Sequence, residues 1–87
     1  MELKQRGEAV VARFFEAVAV LSAEHSEAEV CRACGFDRRN LFNKRNGVWG
    51  YRTIPASWLS VLCDKYRVSP EWLLLGRGKM FGKQHTA

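Results

Sequence analysis

Four side chains within six residues, Arg38, Arg39, Phe42 and Asn43, have the chemistry to read the edge of a base pair. An arginine can donate two parallel hydrogen bonds to guanine O6 and N7. An asparagine carboxamide can pair with adenine N6 and N7, and a phenylalanine ring can touch the methyl group of thymine. Spacings of three and four put these residues on one side of a helix. Lys44, Arg45 and Arg52 follow closely, and their cations suit phosphate contacts, which set register without reading sequence. The Ser26 hydroxyl, with the amides that open the next helix, is a further phosphate donor, because a helix N-terminus carries partial positive charge. The bland alternative is a solvated basic face. Against it, a basic pair at the start of a helix opposes the helix dipole, so Arg38 and Arg39 need a reason to be there. Phe42 has a rival role, packing on a neighbouring helix or a partner, since apolar side chains are more often buried than not.

Other reactive residues point nowhere as specific. Cys31-x-x-Cys34 has half the spacing of a metal or redox site. A structural zinc site needs four ligands, and only Cys63, His25 and His85 remain, none with paired spacing. The cysteines fall where two close helices want small core residues, so core packing is the simpler reading. Neither histidine has a matched acid or nucleophile nearby. No triad, phosphate loop or metal motif appears, so neither an enzyme nor a cofactor is expected, and no small-molecule substrate is inferred. Trp49 and Tyr51 can stack on a sugar-phosphate backbone or cover the core. Met80 and Phe81 can fold back on the core or meet a partner.

These residues need elements to hold them. At 87 residues and 9.9 kDa the chain suits one small domain. No run approaches the roughly 20 apolar residues of a membrane span, and the N-terminus lacks the pattern of a secretory signal. A cytoplasmic protein with reduced cysteines is therefore expected. The formal net charge is +5, and it is unevenly spread. Residues 35–54 carry five basic side chains (Arg38, Arg39, Lys44, Arg45, Arg52) against one acid, Asp37. The end of the chain adds Arg77, Lys79 and Lys83, whereas residues 1–34 are net acidic. Such segregation is the footprint of a nucleic-acid surface.

The pattern predicts five helices and no strand. Val10, Val11, Phe14, Phe15, Val18 and Leu21 recur at helical spacing over 2–22. Ser26-x-x-Glu29 reads as a reciprocal capping box for a helix from Glu27 to Cys34, stopped by Gly35. Asp37 is a candidate N-cap for a helix from Arg38 to about Arg45, ended by Asn46-Gly47. Pro55 fits the first turn of a helix reaching Tyr66, and Ser69-Pro70-Glu71 starts a short one that stops at Gly76. Helices this short need a shared core. It is expected from Phe14, Phe15, Val18, Val30, Cys31, Cys34, Phe36, Leu41, Leu59, Leu62, Trp72 and Leu73.

Helix, glycine-bearing turn, helix is the pattern of a helix-turn-helix. Residues 26–47 resemble that motif in phage CI/Cro-type repressors: Ser26, a short helix with a small residue at its middle (Cys31), Gly35, apolar Phe36, the capping Asp37, and a helix ending Asn46-Gly47. The stretch Val68-Ser-Pro-Glu-Trp-Leu-Leu-Leu-Gly-Arg-Gly78 is similar to the end of the DNA-binding domain in CI-type repressors. The resemblance covers about residues 8–81. Three features depart from it: one extra residue precedes Gly76, Cys31 stands where alanine is usual, and Lys44 where the family often has an apolar or aromatic residue.

The resemblance implies an all-α, five-helix, lambda-repressor-like domain over residues 1–81, with its motif at about 26–47 and a tail at 82–87. It closely resembles the N-terminal DNA-binding domain of CI-type repressors. The implied function is a transcriptional regulator, a repressor that reads operator duplex DNA with helix 38–45 in the major groove, on the nucleoid of a bacterial or phage-infected cell. Arg38, Arg39, Phe42 and Asn43 would face base edges, and Ser26, Lys44, Arg45 and Arg52 phosphates. Such modules usually bind two half-sites as a homodimer. The chain length suits either a Cro-sized protein or the first domain of a longer repressor. The alternative is a protein-interaction module, an adaptor or antitoxin that keeps the scaffold.

Overall fold

Val11, Phe14, Ala17, Val18 and Leu21 are buried along one stripe of the first helix, α1 (Leu3–His25), in a computed structural model that describes residues 3–47 and 53–81. Their spacing of three and four makes α1 the wall on which the rest of the chain packs. α1 extends three residues beyond the predicted end at residue 22. No breaker stands there, and the Ser26 amide closes the last turn by donating to the Ser22 carbonyl at 2.8 Å.

α2 (Glu27–Cys34) begins and ends where the sequence predicts. The Ser26 hydroxyl accepts from the Glu29 amide at 3.2 Å. The reciprocal half of the expected capping box is not made. Ser26 donates its amide to α1 instead, and the Glu29 carboxylate lies 3.9 Å from Nδ1 of His25. The continuous exit from α1 has taken the donor that Glu29 would have bonded. Ser26 turns the chain with φ 90°, unusual for a side-chain-bearing residue.

Gly35 ends α2 in the left-handed region, with φ 79°. A side chain there would be strained. The Phe36 amide donates to the Cys31 carbonyl at 2.9 Å, and the buried Phe36 ring stacks on Trp58 at a centroid distance of 4.5 Å. Asp37 then opens α3 (Arg38–Asn46), as expected. Its Oδ1 accepts from the Arg39 amide at 2.9 Å and the Asn40 amide at 3.4 Å. α3 is one residue longer than predicted and turns off at Gly47.

α4 (Ala56–Tyr66) starts one position later than predicted. Pro55 is its N-cap, not its first helical residue, with extended ψ of 145° and a carbonyl that accepts from Trp58 and Leu59. α5 (Pro70–Leu75) has the predicted bounds, and the Ser69 hydroxyl accepts from the Trp72 amide at 3.3 Å.

The core gathers Phe14, Val18, Val30, Leu41, Leu62 and Leu73, all fully buried. Phe15, Cys34, Leu59 and Trp72, expected inside, are half-buried around it. Val68 joins it from outside any helix. Among the described residues there is no strand, only an isolated antiparallel bridge between Val68 and Phe81. Next to it, the Ser69 amide donates to the Met80 carbonyl at 2.7 Å. Met80 and Phe81 therefore fold back on the core. No helix among the described residues is long and apolar enough to cross a membrane.

α5 has only six residues and no basic side chain in its last turn. Arg13 of α1 supplies one. Its Nε donates to the Leu73 carbonyl at 2.8 Å and Nη2 to the Leu74 carbonyl at 3.1 Å. The guanidinium satisfies carbonyls that the helix end leaves orphaned. Glycine suits position 76, where φ is 73° and a Cβ would press on Arg13 Nη1 at 3.0 Å. Replacing Arg13 with Ala is expected to cost about 1.5–3 kcal/mol, the range for hydrogen bonds to charged groups. A urea melt of the variant checks it, and the midpoint should fall with the slope unchanged.

Candidate nucleic-acid interface

α3 turns in about 3.6 residues, and its one buried residue, Leu41, defines its inner side. Arg39, Asn43 and Asn46, at spacings of four and three, run along the side opposite Leu41. Arg38, Phe42 and Arg45 lie on the flank toward α2, and Asn40 and Lys44 on the flank toward α4. The predicted base-reading set is thus split between two stripes. Arg38 and Arg39 are both exposed but point about 100° apart on the helix, the angle between successive residues. Phe42 is 59% exposed, so it does not pack on α4. Asn43 is half-buried.

The flank toward α2 is electrostatically closed. Glu27, the first residue of α2, places Oε1 3.4 Å from Nη2 of Arg38 and Oε2 2.9 Å from Nη2 of Arg45. Arg38 and Arg45 are seven residues apart, two helical turns, and converge on this one carboxylate. Arg45 also lies over the Phe15 ring, 5.5 Å from its centroid. The hydrogen bond from Arg45 holds the Glu27 carboxyl below its usual range. Desolvation works against this, and the charges of Arg45 and Arg38, with the Arg38 hydrogen bond, reinforce it. A depressed carboxylate stabilises the fold above its unfolded value and ceases to do so as pH falls through the folded one. The difference in melting temperature between the wild type and Glu27→Gln should therefore be present at pH 7 and shrink as pH falls through and below the ordinary glutamate range.

Lys44 is half-buried, with its ammonium 5.7 Å from the centroid of the Trp58 ring. A lysine is thus accommodated on the inner flank by laying its stem along α4 and its charge over an aromatic face. Ser26 is exposed and already accepts from the Glu29 amide. Arg52, with Trp49 and Tyr51, lies outside the described residues. Arg39 has no ion-pair partner among the described residues.

Two contributors escaped the sequence reading. Asn46 was read only as a helix terminator, yet it is exposed and in line with Arg39 and Asn43. Its Nδ2 donates to the Phe42 carbonyl at 2.8 Å, which fixes the direction of its carboxamide. Counting seven from Arg39 would have found it. In the sequence Glu27 stands out only as the first residue of a helix. Its convergence with Arg38 and Arg45 depends on how α2 and α3 pack, and no local pattern announces it.

The thiols have environments of packing, not reactivity. Burial, with the neighbouring Cys31, pushes the Cys34 thiol up to about 11, and burial also raises Cys31 and Cys63. A raised thiol stays protonated at neutral pH and is a poor nucleophile. Among the described residues no group of three or more His, Cys, Asp or Glu is placed to hold a metal ion.

The arrangement offers an exposed helix rich in Arg and Asn, braced by α2 on one flank and α4 on the other. Such a helix can donate to phosphate and base-edge acceptors at once. No protein-family model matches the chain, and neither a curated protein nor a solved structure does.

Proposed function

We propose that this chain is a sequence-specific double-stranded DNA-binding regulator of transcription, of the repressor type. The observation that carries the reading is the exposed face of α3, where Arg38, Arg39, Phe42, Asn46 and the half-buried Asn43 stand on a helix joined to α2 by the turn at Gly35–Asp37. In this reading α2, the turn and α3 act as a helix-turn-helix, as the resemblance to phage CI/Cro-type repressors implies. α3 enters the major groove, Arg39 and Asn43 face base edges, and the cations of its flanks and of Arg52 serve phosphates. The protein, seated on its operator, then blocks polymerase. Two copies engage two half-sites about one helical turn apart.

A second reading, a protein-interaction module, has one observation in its favour. Leu74 and Leu75 of α5 are 48% and 52% exposed. Leu74 borders an apolar groove of about 400 Å³ between α4 and α5, lined by Ala56, Leu59, Cys63, Pro70 and Leu73. Exposed apolar patches often mark contact surfaces. Selection from randomised duplex DNA, at physiological salt with competitor, separates the two. Enrichment of a two-fold symmetric site supports the regulator acting as a dimer. Enrichment of a single half-site supports DNA reading by a monomer. A pool without enrichment favours the interaction module.

A further inference from the structure

The Glu27 bridge has the shape of an occupied anion site. Two guanidinium groups from opposite ends of α3 meet one carboxylate, and each takes a different oxygen, at 3.4 and 2.9 Å. A phosphodiester presents the same motif, one negative charge shared by two unesterified oxygens. Arg38 remains 63% exposed on its side chain and Arg45 40%, while Glu27 is 34% exposed. The cradle is therefore open enough for exchange with solvent anions. We infer that Glu27 is an internal stand-in for a DNA phosphate, which masks Arg38 and Arg45 and so holds down the protein's affinity for any duplex.

The inference rests on the DNA-binding reading and adds to it a residue that sets the strength of backbone binding. Backbone contacts contribute equally on every sequence, and their strength scales with the number of cations offered. A phosphate that takes Arg38 or Arg45 must displace Glu27, leaving that carboxylate beside the polyanion. The cost falls on all duplexes alike. It is repaid only where base-edge contacts from residues such as Arg39 add their own energy. Both affinities fall by the same factor, and only a duplex with base-edge contacts is still filled at low protein concentration.

The test compares wild type and Glu27→Gln on two probes, a random-sequence duplex and the duplex recovered by selection, over a range of salt. Glutamine keeps the size and one hydrogen-bond acceptor but removes the charge. Exposed ion pairs contribute little to stability, so the variant should fold, and circular dichroism verifies it. Glu27→Gln is expected to bind random duplex about three- to ten-fold more tightly, with a steeper salt slope by about one phosphate contact. Affinity for the selected duplex should rise by a similar factor, so the ratio of selected to random affinity stays unchanged. In addition, Arg38→Ala should cost little affinity for random duplex in the wild-type background and several-fold more in the Glu27→Gln background. This coupling also reads out if Glu27→Gln is less stable, because both arms share that background.

Unchanged or weaker random-duplex binding by Glu27→Gln, with Arg38→Ala equally costly in both backgrounds, overturns the inference and makes Glu27 a brace that presents the arginines. If wild type binds a selected duplex and Glu27→Gln tightens binding to neither probe, the regulator reading stands and only the masking role falls. If neither protein binds any duplex at low salt, both fall together.

Discussion

Arg39→Ala is expected to weaken binding to a selected duplex by about 10- to 100-fold, within the roughly 1–3 kcal/mol that one bidentate base contact discriminates. Binding to random duplex should change by no more than a few-fold, and the melting temperature should not move. The reason lies in its position on α3. Arg39 stands opposite the buried Leu41 and has no ion-pair partner among the described residues, whereas Arg38 is held by Glu27. Its backbone amide is bound by Asp37 Oδ1 at 2.9 Å. The N-terminal turn that carries it is therefore fixed before DNA arrives, and only the side chain must be ordered. Titrations of both duplexes by fluorescence anisotropy check this. Equal losses on both would make Arg39 a phosphate contact. No loss on either would remove α3's outer face from the interface.

The largest effect on stability is expected at Phe14. Its ring is fully buried, edge-on to Phe15 at 5.1 Å, and tilted against Phe36 at 5.7 Å and Trp58 at 6.2 Å. It thus joins α1 to the turn before α3 and to α4. Phe14→Ala removes a ring from this cluster, and the neighbours can collapse only partly. The expected cost is about 3–5 kcal/mol, a large share of the roughly 5–15 kcal/mol that holds a typical domain folded. The melting temperature should fall by about 12 °C or more, since each kcal/mol shifts a domain of this size by about 4–8 °C. Thermal denaturation followed by circular dichroism measures it. A fall of only a few degrees would show that the cavity closes by repacking.

What could be read in the sequence was what local chemistry controls. α2 and α5 have their predicted ends because Ser26, Gly35, Ser69 and Gly76 each act on amides or carbonyls a few residues away. The start of α3 follows from Asp37 for the same reason. Val68 shows the opposite case. It sits between two helices, with no periodic neighbours, and is buried because Phe81 pairs with it from 13 positions further on. Nothing in the sequence around Arg13 marks its partners, which are carbonyls 60 and 61 residues away. In the candidate interface, residue types and helical spacing suggested which side chains could read DNA. The roughly 100° between successive helical residues already separates Arg38 from Arg39, against the expectation of one shared face; what residue types and spacing could not show is that Glu27 lies between Arg38 and Arg45.

The hook from Arg13 to α5 also orders events in time. A ribosome releases α1 first and α5 last, so the guanidinium emerges long before the carbonyls it will bind. α1 and α2 are sequence neighbours and can associate early, because closing a short loop costs little entropy. α5 is too short to persist alone and waits for α1 to be in place. Assembly during synthesis should therefore run from the N-terminal end, with the closing of α5 against α1 as the late step that completes the core around Leu73.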